Sequence, residues 1–209
     1  MLHTSIMTKS RFSARSDTEK LAIHESGHAL MFHALGVAIS SVTIEACCEG
    51  ERPTFEGCVR LASNSTNVCD VIAGTLAGPA ASFSIALVPA DNEAMQKFRS
   101  DQCTLHDIYS KQKDAGTWDE FWNRLQLFLG TWVRTWLLRY EDNVERFARQ
   151  LLLAKTLTGK ELERELSSAW NGIKPDPNQL HAEVALVLDR VLNDKHISLD
   201  QLAAPPNPR

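Results

Sequence analysis

No apolar run in the 209 residues reaches the roughly 18 residues that a membrane-spanning helix needs. The longest candidate, "VIAGTLAGPAASFSIALVPA", is interrupted by Gly74, Gly78, Pro79 and two serines, and reads as buried core helix. A basic excess is also missing. The formal net charge is −4, which argues against a nucleic-acid binder. None of the five cysteines stands in a C-x-x-C pair, so a cysteine-only zinc site is not expected and reduced thiols in a cytoplasmic protein are. "MLHTSIMTKSRFSARSD" has basic residues but no apolar segment after them, so it reads as a flexible arm over 1–15 and not as a secretory signal. No phosphate loop of the G-x-x-x-x-G-K-[ST] form occurs, so no ATP-driven step is expected of these residues.

What is present is mostly helical patterning. Ser16-Asp17-Thr18-Glu19 has the form of a capping box, predicting a helix that runs to Leu35 and closes at Gly36. "SSVTIEAC" (40–47) and "FEGCVRLA" (55–62) alternate around the turn "EGERPT" (49–54), predicting a β-hairpin or sheet edge. A long apolar helix is expected from Val68 to Val88, kinked or split at Gly78-Pro79 and ended by Pro89. An acidic loop, "ADNEA", leads to a helix start at Ser100-Asp101. From "GTW" (116–118) helical sequence runs to residue 155, and Thr158-Gly159-Lys160-Glu161 has the form of a second capping box. After the linker "KPDPNQ" comes a last amphipathic helix, "LHAEVALVLDRVL", and then a frayed tail. The fold class is therefore mainly α, with one small β element after the first helix. The chain divides into the arm, a domain over 16–170, a helical appendage over 171–200 and a disordered tail over 201–209.

The chemistry concentrates in "LAIHESGHALMFHALG" (21–36). In a helix, residues four apart lie about 40° from each other on one face. His24 and His28 can thus offer two imidazoles to one ion, with Glu25 one residue round, in reach of water on that ion. Leu21, His24, His28, Met31 and Leu35 fall on one stripe, so the two histidines sit in an apolar face, where imidazoles need partners. Gly27, between them, lets a backbone or a substrate approach closely. A helix that merely carries histidines is the plainer alternative. His33, His106 and His181 are assigned surface or packing roles, and adjacent Cys47 and Cys48 point to opposite faces of a strand. The pairs Trp118/Trp122 and Trp132/Trp136 read as core or helix contacts, with Leu125, Phe128 and Leu151 to Leu153 packed on them. A third metal ligand is not fixed by spacing: Asp101, Asp107, His106 and Glu93 all lie in the following region.

"HESGHAL" resembles the "HEAGHA" zinc motif in the peptidase domain of FtsH-type ATP-dependent zinc metalloproteases. "VTI" (42–44), "IAGTLAGPAAS" (72–82, similar to "LGGRAAE"), "SDQCTLHDIYS" (100–110) and "VERFARQLLLAKTLTGKELEREL" (144–166) resemble further segments of that domain, in the same order. The resemblance spans about residues 20 to 166 and implies a helical zinc-metallopeptidase domain. It implies His24, His28 and Asp101 as Zn²⁺ ligands and Glu25 as general base. It also implies hydrolysis of peptide bonds through a metal-activated water. Pro79 stands where the family has arginine and Ser82 where it has glutamate, which bears on support of the site. With no ATPase, the expected substrates are flexible or unfolded polypeptides, or chains delivered by a separate unfoldase or regulatory partner. The alternative is an inactive, regulatory peptidase-like protein that binds a protein partner. Homo-oligomerisation stays open; no nucleic acid and no membrane span are expected.

Overall fold

The computed structural model describes residues 15–45, 57–62, 67–88, 99–111 and 117–193. The turn 49–54, Cys47-Cys48, the acidic loop 90–94, the N-terminal arm and the tail lie outside these residues. The first helix, α1 (Asp17–Ala34), starts on the expected box: Glu19 N–H donates to Ser16 Oγ at 3.3 Å, and Ser16 N–H donates to the Glu19 carboxylate at 2.7 Å. Its end follows from Gly36, whose φ of 73° suits glycine. His181 Nε2 donates to the Leu35 carbonyl at 2.6 Å, satisfying a helix-end acceptor.

Strands β1 (Ile39–Thr43) and β2 (Cys58–Leu61) pair antiparallel, as the alternation predicts. Helix α2 (Val68–Ser84) follows, then α3 (Arg99–Tyr109) and α4 (Trp118–Leu125). A π-helical turn at Gln126–Gly130 joins α4 to α5 (Thr131–Arg139), and α6 (Glu141–Ala154) continues the chain. Strand β3 (Thr156–Thr158), α7 (Gly159–Ala169) and α8 (Pro177–Asn193) complete the described order. The fold is mainly helical with a three-stranded antiparallel sheet in the order β2-β1-β3.

Four expectations need correction. Helix α2 is not split: it is one element through Pro79, and it ends at Ser84, before Val88. Pro79 costs the hydrogen bond to the Thr75 carbonyl, but close packing on α1 holds the helix together. The second capping box does not form. Thr158 makes no side-chain cap bond, is extended, and pairs with Ser41 as the last residue of β3. The apolar stripe on α1 is wider than drawn, because every residue from Ala22 to Phe32 is buried. Leu151 is fully buried, but Leu153 is 80% exposed and joins no core.

Helix α1 runs through the middle of the molecule, between α2 and α6, with the sheet beside it. Small residues set its distance from α2. A Cβ on Gly27 would lie 2.5 Å from the Ala77 carbonyl oxygen, so a neighbouring backbone does approach here. On α2, Gly74 and Gly78 stand four apart and receive the rings of Phe32 and His28, also four apart. Helix α8 packs on α2, with Leu180, Val184, Leu188 and Val191 in the same buried cluster as the rest.

His33 has the packing role assigned to it. Trp170 Nε1–H donates to His33 Nδ1 at 2.8 Å, inside an aromatic group that includes Trp136 and Tyr140. Burial, with help from Lys174, lowers the His33 pKa to about 4. The neutral ring is the folded form, so this contribution is complete above pH 6.5 and is lost as pH falls from 6.5 toward 4. The ring is only half-buried, and screening reduces the effect to about 1–2 kcal/mol. Urea unfolding at pH 7 and pH 4.5 should therefore show a pH penalty that shrinks by that amount in His33→Gln, whose amide oxygen accepts from Trp170 without titrating. An unchanged penalty would remove His33 from the acid response.

Candidate metal centre

Three side chains from two distant segments meet on one side of α1. His24 Nε2 and His28 Nε2 lie 3.0 Å apart. From the first turn of α3, Asp101 brings Oδ2 to 3.3 Å from His24 Nε2 and Oδ1 to 3.4 Å from His28 Nε2. His24 is 7% and His28 6% exposed, so neither is a surface residue. A tetrahedral ion with bonds of about 2.0–2.1 Å separates its ligand atoms by roughly 3.3–3.4 Å. The observed spacings are close to that, with the histidine pair slightly tighter. Among the described residues, these three form the group placed to hold a metal ion. The other third-ligand candidates separate cleanly: His106 and Asp107 are exposed on α3, and Glu93 lies outside the described residues.

The Asp101 carboxylate suits a cation, whether an imidazolium or a metal ion. Asp101 Oδ2 is buried and has no hydrogen-bond partner among the described residues. An unpaired buried carboxylate oxygen is costly unless a positive charge faces it. Each imidazole is also held from behind. His28 Nδ1 lies 2.7 Å from the Gly74 carbonyl, and His24 Nδ1 lies 3.0 Å from Ser82 Oγ. Both Nε2 atoms are thereby turned toward the carboxylate, which is how histidines are oriented at metal sites.

The electrostatics are those of a compact charged cluster. Burial is the largest influence on all three groups. At His24 it prevails and lowers the pKa. At His28 it is outweighed by the Asp101 carboxylate, with Glu25 adding to the effect, so the pKa rises to about 9. At Asp101 burial is outweighed by the two imidazoles, and the carboxyl is held well below its usual range. The carboxylate is therefore ionised, as a metal ligand must be.

Glu25 is 3% exposed and follows His24 directly on α1. A Cβ on Gly57 would sit 2.5–2.7 Å from its Cγ, Cδ and Oε1, so the chain entering β2 lies against the carboxyl group. Gly57 was not singled out by the sequence, nor was Ser82 given this contact. Neither shows a local pattern, since each meets its target only through tertiary packing. Beside Asp101 opens an apolar pocket of about 130 Å³, walled by Leu76, Phe83, Leu105 and Trp122. Trp122, read above as core, thus also faces the site. Its partner Trp118 stacks on it with ring centres 5.5 Å apart. No helix among the described residues is long and apolar enough to cross a membrane. A scan of protein-family models gives no match to this chain, and no curated protein matches it.

Proposed function

We propose that the chain is a zinc-dependent metalloendopeptidase that resembles the FtsH-type peptidase domain and hydrolyses flexible or unfolded polypeptides. The observation that carries this reading is the convergence of two imidazole Nε2 atoms and a buried carboxylate, one residue from a buried glutamate. The donor set of two nitrogens and one oxygen suits zinc and leaves a fourth position for water, as catalytic zinc sites require. When bound, zinc lowers the pKa of water to about 7 and polarises a carbonyl.

The chain's own residues supply the rest. His24, His28 and Asp101 would hold the ion. Glu25 takes the proton of the attacking water and delivers it to the leaving amine. Its buried setting keeps bulk water from competing for that proton. The pocket beside Asp101 is placed to receive an apolar side chain near the bond being cut.

The test is metal content joined to proteolysis. Purified protein is expected to carry about one zinc per chain, consistent with a single three-ligand site. It should cleave casein, lose cleavage in a strong chelator and regain it when zinc is restored. Zinc-free protein that cleaves, or zinc-loaded protein that never does, would refute the peptidase reading.

A further inference from the structure

The pocket beside the metal centre has walls from three helices. Leu76 and Phe83 come from α2, Leu105 from α3 and Trp122 from α4. It reaches the centre itself, because Asp101 also lines it, one helical turn before Leu105. Gln126 lines it too and is exposed, so the pocket opens to solvent on that side. Its volume, about 130 Å³, decides what fits. A dry cavity of about 150 Å³ with similar apolar walls holds one benzene-sized group. A leucine or phenylalanine side chain therefore fits, and the two fused rings of tryptophan do not. Among the described residues, no lysine or arginine lines the pocket, so an acidic side chain would enter unpaired. The one carboxylate, Asp101, already faces two imidazoles, so a basic side chain gains little there.

We propose that Trp122 is the specificity-determining residue of this pocket, which takes one phenylalanine or leucine side chain next to the bond cut and excludes tryptophan and charged side chains. The use of the pocket rests on the peptidase reading above; the fit of the side chain does not. Leu76 and Leu105 belong to the buried core, whereas Trp122 is only half-buried. Its ring is braced from the other side. Trp118 stacks on it with ring centres 5.5 Å apart and planes 28° apart, and Trp118 packs in turn on Tyr109 and Phe121. A wall braced in this way keeps its shape when the pocket is empty, so binding pays little ordering cost.

The experiment uses the full chain as wild type, Trp122→Phe and Trp122→Ala, with two readouts. Zinc-loaded protein is given a peptide library, and the residues flanking each cut are read by mass spectrometry. Independently of turnover, binding of fluorobenzene is followed by ¹⁹F NMR. Wild type is expected to favour phenylalanine and leucine over alanine by about 10–100-fold at one position flanking the cut, and to bind fluorobenzene saturably. Trp122→Phe, with a smaller ring in the wall, should keep that preference and admit tryptophan. Trp122→Ala should reduce the preference to within about threefold and weaken fluorobenzene binding by about tenfold. Cleavage with no such preference on either side of the cut overturns the proposal and leaves the peptidase reading standing. A Trp122→Phe protein that still rejects tryptophan also overturns it, so the test survives if Trp122→Ala does not fold. If zinc-loaded wild type cuts nothing, the peptidase reading fails and fluorobenzene decides the pocket: binding that does not saturate, or that neither variant alters, overturns the role of Trp122.

Discussion

Replacing Glu25 with glutamine should leave zinc uptake unchanged and lower peptide hydrolysis by about 10²–10⁴-fold, the usual contribution of a positioned acid–base group. Glutamine has nearly the shape of glutamate, so the packing around this buried position survives. An amide cannot take the proton of the attacking water. Because Glu25 is not among the three converging donors, His24, His28 and Asp101 still meet as before. Gly57 gives an independent handle on the same group. An added Cβ would fall 2.5–2.7 Å from the Glu25 carboxyl end, so Gly57→Ala should shift the carboxylate without touching any ligand. Its turnover should lie between wild type and Glu25→Gln, again with full zinc. The measurements are kcat/KM on a fluorogenic casein and zinc per chain by mass spectrometry. A fully active Glu25→Gln protein would take the proton-transfer role away from this residue.

The features legible in the sequence are those written within a few residues of chain. The box at Ser16 forms because its two partners are three residues apart and no strand competes for them. The same letters at Thr158 give no cap, because Thr158 is already committed to pairing with Ser41, more than a hundred residues away. Strand β3 could not be read for the same reason: three residues carry too little alternation, and the pairing that makes them a strand is remote. His24, Glu25 and His28 announce themselves by helical spacing. Asp101 does not, and only the family resemblance separated it from Asp107, His106 and Glu93. In the structure it is distinguished by burial among the two imidazoles, while Asp107 is exposed. Pro79 and the glycines of α2 were the most misleading letters. Gly78-Pro79 reads as a kink or split, yet Gly78, with Gly74, is where α2 accepts the rings of α1. A glycine kept in a helix against a propensity cost of about 1 kcal/mol marks a close approach, and here the approaching group is a proposed metal ligand.

That makes Gly78→Ala the sharpest disruption of the centre from outside its ligand set. By helix propensity alone, the substitution should stabilise the protein by about 1 kcal/mol. The added Cβ, however, would lie 2.1 Å from His28 Nε2 and 2.5–2.6 Å from two ring carbons, far inside contact distance. The ring has no easy retreat, because its Nδ1 is bonded to the Gly74 carbonyl at 2.7 Å on the same helix. Overpacking of this kind costs about 1–3 kcal/mol, and it falls on the atom that would meet the metal. Zinc affinity is therefore expected to drop by about two orders of magnitude, the upper end of that cost, with a lower melting temperature. Gly130→Ala serves as the control. Its Cβ would meet the end of the flexible Gln126 side chain at 3.2 Å, and neither readout should fall. Chelator competition and thermal melting on the two variants check this directly. A Gly78→Ala protein with unchanged zinc affinity would mean that His28 does not supply Nε2 to the metal from the position seen here.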